Sequence, residues 1–273
     1  IKIMMRKITT ILLLALVLNS CGEYQKVLKS DDYNYKYTKA VAYYEAEDFN
    51  RALPLFNELS TVLRGTAKME EVSYYFAYCH YSASDNLMAA YLFKNYTQNY
   101  PNGKHTEECA YMTAYCYYLE APNYSLDATN NYKAINELQA FVDRFPNSDR
   151  VEKCNLLLDE LRAILSKKAF ENAKQYFTTE NYKSAIIALE NVLIDFPSYI
   201  NREEVHFLIV KSSYSLAVNS ISTKVTPRLK ATLDAYAQFK DNYPNSDFIK
   251  DLENTYNKTN QTLTELKENK DEI

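Results

Sequence analysis

Tryptophan is missing from the 273 residues, and glycine and histidine occur only three times each. Gly22, Gly65 and Gly103 stand far apart, so a glycine-rich loop that cradles phosphate has no material here. His80, His105 and His206 are equally scattered, without the cysteine or carboxylate spacing of a zinc site. Nothing in the sequence resembles a nucleophile with its base. The chain therefore reads as a protein that is not an enzyme, with no cofactor and no metal. Basic residues do not outnumber acidic ones: 31 Lys and Arg stand against 35 Asp and Glu, which disfavours a nucleic-acid partner. Strand-like alternation bounded by turn pairs is lacking as well. What remains is 47% hydrophobic and 24% charged, enough for a folded core and too apolar for wholesale disorder.

The start of the chain has a pattern of its own. Arg6 and Lys7 precede an uncharged run from Ile8 to Leu18, which has the length of a signal-peptide core and is too short to span a bilayer. The run ends in Leu18-Asn19-Ser20-Cys21-Gly22, which resembles a bacterial lipobox. That resemblance implies a start at Met4 or Met5, cleavage after Ser20, and Cys21 as the lipid-bearing residue. The alternative is an ordinary secretory signal with an incidental cysteine. Two or more acyl chains give stable anchoring. No acidic residue adjoins Cys21, which fits the outer membrane, with the protein facing the periplasm. Removal of residues 1–20 takes away Lys2, Arg6 and Lys7 and moves the net charge from −4 to −7.

Beyond Cys21, apolar residues recur at three and four, as in Ala134-Ile135, Leu138 and Phe141-Val142, which predicts helix after helix. The helices repeat. Ala40 is followed twelve residues on by Ala52, Ala77 by Ala89, and Ala173 by Ala185. Twelve residues beyond Ala89, Ala134 and Ala185 stand Pro101, Pro146 and Pro197, each preceded by an aromatic residue. A fifth unit ends at Tyr243-Pro244, with Ala231 thirteen residues upstream. In the third unit Ala114 and Ala134 lie twenty apart, an eight-residue insertion around Pro122-Asn123-Tyr124. Small residues mark where two backbones approach, and proline ends the second helix. Asp48, Asp85, Asn130-Asn131 and Asn181 stand where second helices should be N-capped, and Ser148-Asp149 and Ser246-Asp247 where the following helix starts. The pattern resembles tetratricopeptide repeats. The expectation is an all-α solenoid of about five such helix pairs with a C-terminal capping helix near 246–268.

In this register the tyrosines, 26 in number, fall into rows. At offsets −3, +1 and +4 from Ala77 and Ala114 stand Tyr74, Tyr78, Tyr81 and Tyr111, Tyr115, Tyr118, and the first unit supplies Tyr37, Val41 and Tyr44. These offsets fall on one stripe of the first helix. In the repeat family that stripe lines the concave groove, and tyrosine suits a groove for extended peptides. The same residues could instead pack neighbouring repeats together. Cys79 and Cys116 hold equivalent positions in successive units, so they should lie about 8–10 Å apart, beyond the ~7 Å that a disulfide can bridge. Buried thiols are the expectation for these two and for Cys109 and Cys154.

The lipobox, five repeat units and the segments "YPNGKHTEE", "FPNSDRVEK" and "YPNSDF" together resemble the BamD family of outer-membrane protein assembly lipoproteins. "DFNRALPLFNELSTVLRGTAKMEEVSYYFAYCHY" is similar to that family's first two units. The resemblance implies a scaffold of the β-barrel assembly machinery. Its partners would be unfolded outer-membrane proteins, the periplasmic domains of the barrel-forming subunit, and the outer membrane through its lipid anchor, with no small-molecule substrate. The expected organisation is a signal peptide over 1–20, a lipidated linker over 21–32, client-binding repeats over 33–147, partner-docking repeats with the capping helix over 148–268, and a tail over 269–273. A different periplasmic repeat lipoprotein, either a cell-envelope adaptor or a glycan-capture protein, is the rival reading. The lack of tryptophan argues against glycan capture.

Overall fold

The computed structural model describes residues 22–271. Cys21 and the apolar run before it lie outside the described residues. Among the described residues the chain is all helical, and no helix is long and apolar enough to cross a membrane. Helix α1 covers 22–28. It is followed by α2 (Tyr33–Glu45), α3 (Phe49–Val62), α4 (Met69–Ser82), α5 (Asn86–Asn99), α6 (Thr106–Leu119) and α7 (Thr129–Arg144). The remaining helices are α8 (Val151–Thr178), α9 (Tyr182–Asp195), α10 (Arg202–Val218), α11 (Ser222–Asn242) and α12 (Ile249–Asp271). The chain forms two compact units, one ending at 158 and lacking 123–126, the other made of 123–126 with 159 onward.

In the first unit each helix from α2 to α6 packs on its successor. The marker alanines explain how the backbones approach: Ala40, Ala52, Ala77, Ala89, Ala114 and Ala134 are all fully buried. Leu55, Phe56 and Leu59 fill the space beside them, each contributing about 1.5–3 kcal/mol by leaving water. In the second unit Ala173 and Ala185 are likewise buried, and Phe170, Leu189, Val192 and Val205 join α8, α9 and α10. The fifth register position is held by a different residue from the one expected. Ala231 is exposed, and Thr232, twelve residues before Pro244, is fully buried with its hydroxyl donating to the Arg228 carbonyl at 3.0 Å.

Three hairpin turns share one geometry. Glu47, Ser84 and Glu180 have φ of 57°, 60° and 60°, in the left-handed region. At the first turn the Asp48 N–H reaches back to the Tyr43 carbonyl at 2.8 Å and the Glu47 N–H to that of Tyr44 at 2.9 Å. The pair 6→1 and 5→2 is a Schellman motif, repeated at Asp85 to His80 (3.0 Å) and Asn181 to Tyr176 (2.8 Å). Cap chemistry varies. The Asp48 carboxylate accepts from the Arg51 N–H at 3.3 Å, whereas Asp85 turns to His80 Nδ1 at 3.0 Å instead of capping α5. Helix α7 starts at Thr129, ahead of the expected Asn130-Asn131, with the Asp127 carboxylate accepting from the Thr129 N–H at 2.9 Å. Asn131 is buried and donates to the Pro122 carbonyl at 3.2 Å, tying down the insertion. The Ser148 and Ser246 hydroxyls accept from Arg150 and Phe248 N–H at 3.2 and 3.0 Å, as their positions predict.

The second helices stop alike. Tyr100, Phe145, Phe196 and Tyr243, with φ near −130° and ψ between 60° and 69°, leave the helical region just before a proline. The proline ring excludes the helical conformation from the residue ahead of it.

Candidate functional site

The first helices of the three pairs in the first unit carry the tyrosine row. All eight candidates lie there, and only Tyr111 is counted as buried, with 7% of its surface exposed; Tyr37, Tyr44, Tyr74, Tyr78, Tyr81, Tyr115 and Tyr118 are half-buried. Tyr74 and Tyr78 sit 4.9 Å apart by ring centroids, and Tyr78 and Tyr81 6.2 Å. Tyr111, Tyr115 and Tyr118 stack in sequence at 5.7 and 6.0 Å with planes within 18° of parallel. Some rings also reach their paired helix: Tyr78 meets Phe93 of α5 edge-on at 4.9 Å, and Tyr111 meets Phe141 of α7 at 5.8 Å. Tyr44 contacts Phe49 and Tyr75 at 5.6 and 4.8 Å.

The Tyr37, Tyr74 and Tyr78 hydroxyls are engaged by carboxylates of the following pair, whereas that of Tyr111 is buried without a hydrogen-bond partner among the described residues. Tyr37 donates to Glu71. Tyr74 and Tyr78 both donate to Glu108, at 3.2 and 2.5 Å. Glu71 and Glu108 stand six residues before Ala77 and Ala114, so the tyrosine at −3 meets the same register position one unit on. Burial first, and then the hydrogen bond to Glu108, pushes the Tyr78 hydroxyl far above its ordinary value; burial does the same for Tyr37 and Tyr74. Burial raises Tyr44 to about 12. These phenols are therefore neutral throughout the physiological range. His105 stacks on Tyr74 at 3.9 Å.

At Tyr111 the counterpart changes sign. The Arg150 guanidinium lies 5.0 Å from its ring, and the Lys153 ammonium lies 5.1 Å from Tyr115 and 5.9 Å from Tyr111, within cation–π range. In the second unit a related slot is filled by a lysine. Lys174, one residue past Ala173, donates to Glu204 at 2.7 Å, just as Tyr78, one past Ala77, donates to Glu108.

Sequence reasoning found the rings and missed their acceptors. The missed signal is the doublet Glu70-Glu71, repeated as Glu107-Glu108 and Glu203-Glu204 in the first turns of α4, α6 and α10. A negative charge there also complements the helix dipole. Glu70 has its own role, accepting from the Tyr96 hydroxyl at 2.7 Å and the Lys104 N–H at 3.0 Å. Gly103 makes that approach possible, because a Cβ on it would lie 2.5 Å from the same carboxylate oxygen and 2.9 Å from the Tyr96 hydroxyl.

The four cysteines within the described residues are free and buried, and burial pushes the Cys79 and Cys116 thiols up to about 12. Among the described residues no cluster of three or more His, Cys, Asp or Glu could hold a metal ion.

No curated protein matches the chain. A solved structure similar to it is the TPR2AB-domain:pHSP90-complex of yeast Sti1, at 15% identity and a TM-score of 0.38, with 84% of this chain and 98% of that one covered. The model of the YfiO family, described as outer membrane lipoprotein, matches residues 29–221 and 171–268, and so the chain belongs to that family of outer-membrane lipoproteins.

Proposed function

We propose that this protein is a non-catalytic scaffold of the β-barrel assembly machinery, anchored in the outer membrane through acylated Cys21 and facing the periplasm. Membership of the outer-membrane lipoprotein family across 29–268 carries this reading. The helix pairs α2/α3, α4/α5 and α6/α7, the later part of α8 with α9, and α10/α11 are then five tetratricopeptide-like repeats, with α12 as the cap. The tyrosine row of the first unit, from Tyr37 to Tyr118, is the groove for unfolded outer-membrane clients. Its support is the run of half-buried rings at repeating register positions. The second unit docks the barrel-forming subunit through that subunit's periplasmic domains.

Affinity purification of the acylated protein from membranes tests the scaffold role, which requires a β-barrel assembly subunit to co-isolate; its consistent absence refutes the role. Cys21→Ala should shift the protein to the soluble periplasmic fraction, and unchanged mass and membrane retention refute acylation. Tyr78→Ala with Tyr115→Ala should weaken binding of an aromatic-ended peptide from an outer-membrane protein. Two lost ring contacts at about 0.5–1.5 kcal/mol each correspond to about five- to 150-fold in affinity. Subunit co-isolation should persist in that variant, with helicity checked by circular dichroism. Unchanged peptide affinity assigns the row to packing alone.

A further inference from the structure

The residues that follow Cys21 read from the sequence as a linker, yet 22–28 form α1, and α1 is built into the first helix pair. Val27 is fully buried in one cluster with Ala40, Ala52, Leu55, Phe56 and Leu59, and Tyr24 and Leu28 pack against that cluster. The Tyr24 hydroxyl donates to the Arg51 carbonyl at 3.3 Å, and its ring meets Tyr43 edge-on at 5.7 Å. Glu23 pairs with Lys39 at 2.7 Å. Lys36 closes the joint. It is 1% exposed, and its ammonium donates to the Leu28 carbonyl at 3.1 Å and to both oxygens of Glu58 at 2.6 and 2.8 Å. One buried cation thus ties the C-terminal end of α1 to α2 and α3. A lysine leaves water this completely only where its charge is matched.

We infer that α1 is a rigid strut that holds the first helix pair against the phospholipid surface, in place of a flexible tether. The inference rests on the proposed acylation of Cys21. Seven helical residues span about 10 Å, so Gly22, the residue bonded to the proposed lipid-bearing Cys21, and the buried Val27 are held at a short, fixed separation. A solvated chain of the same seven residues, 22–28, would average roughly 15 Å end to end and could extend to about 25 Å. Lys26 on α1 and Lys29 in the turn that follows it, both exposed, offer two cations to anionic headgroups that lie within a Debye length. The partner of this end of the first unit is therefore the bilayer itself.

The test uses the full acylated protein in vesicles of phosphatidylethanolamine and phosphatidylglycerol, with a spin label at Gln25→Cys, an exposed α1 position. A paramagnetic chelate carried on lipid headgroups relaxes the label according to its distance from the membrane. A second version carries eight Gly-Ser residues inserted between Cys21 and Gly22, ahead of α1, which leaves α1 and the anchor cysteine in place while adding about 16 Å of average reach. Strong relaxation is expected in the first version, with a clear drop in the second, whose label can stand about 16 Å farther from the headgroups. Equal relaxation in two acylated, vesicle-bound versions overturns the strut and leaves the anchor standing. A mass spectrum without acyl chains overturns the anchor, and the strut with it.

Discussion

Replacing Glu47, Ser84 and Glu180 together with glycine should stabilise the protein, although each change removes a side chain. At φ of 57–60° the Cβ of these residues crowds the following carbonyl, which costs roughly 1–2 kcal/mol per residue. Glycine removes that crowding but gives the unfolded chain more freedom, a loss of about 0.4–1 kcal/mol. The balance favours glycine by about 0.5–1 kcal/mol per site. All three side chains are exposed, so little packing is lost. Glu47 and Ser84 lie in the first unit and Glu180 in the second, and separated sites add, so the first unit should gain about 1–2 kcal/mol and the second about half of that. At 2–4 °C per kcal/mol for units of this size, the first transition should rise by about 2–8 °C. Thermal and urea unfolding followed by circular dichroism read both units without assuming one cooperative transition. Glu47→Ala keeps the Cβ and should give none of the gain. A triple glycine variant no more stable than its parent, or an alanine variant that matches it, refutes the strain argument. Gly103→Ala should act in the opposite direction, costing about 1–3 kcal/mol through the contacts with Glu70 and Tyr96.

Three further outcomes are expected. Glu108→Ala should destabilise the first unit by about 1–3 kcal/mol because the Tyr74 and Tyr78 hydroxyls lose their shared acceptor, while Glu108→Gln should cost less; equal stability of the two variants in urea counts against the hydrogen bonds. Cys79 and Cys116 should resist alkylation at pH 8 until urea unfolds the chain, and mass spectrometry of unreduced, oxidant-treated protein should find no bridge between them. His206 has its pKa lowered by burial first and by the nearby Arg202 second, so its neutral form is favoured in the fold. Above the ordinary histidine value it does not affect stability. As pH falls through that value the unfolded chain takes up a proton that the folded chain refuses, so the second unit should weaken toward pH 5. His206→Gln should flatten that slope, and an unchanged slope would assign the loss to carboxylates.

The alanine spacing was legible because two helices that cross closely tolerate only a small side chain at the crossing. Eight marker alanines from Ala40 to Ala185 are fully buried for that reason. The same reasoning slipped by one residue at Ala231, because Thr232 is small enough for the site once its hydroxyl bonds to its own helix. Lys36 could not be read. A lysine in a polar first turn reads as a solvated charge, and its burial depends on Glu58, twenty-two residues away. The partners of the tyrosine hydroxyls lie thirty or thirty-four residues on, beyond any helical periodicity, so rings were visible in the sequence where carboxylates were not. Helix α1 was hidden for a related reason, since seven residues have too few turns to display a period.

The sharing of Glu108 between two phenols also bears on how discriminating the first unit can be. Tyr37, Tyr74 and Tyr78 have their polar ends committed to the protein's own carboxylates. A client chain laid along the row, as proposed, would meet ring faces and edges at these three positions and no free hydroxyl there. Under the proposed client role, such positions would sort visitors by how much aromatic and aliphatic area they present more than by the order in which they present it. That would be the selectivity of a sieve, open to many sequences of one texture and closed to polar ones.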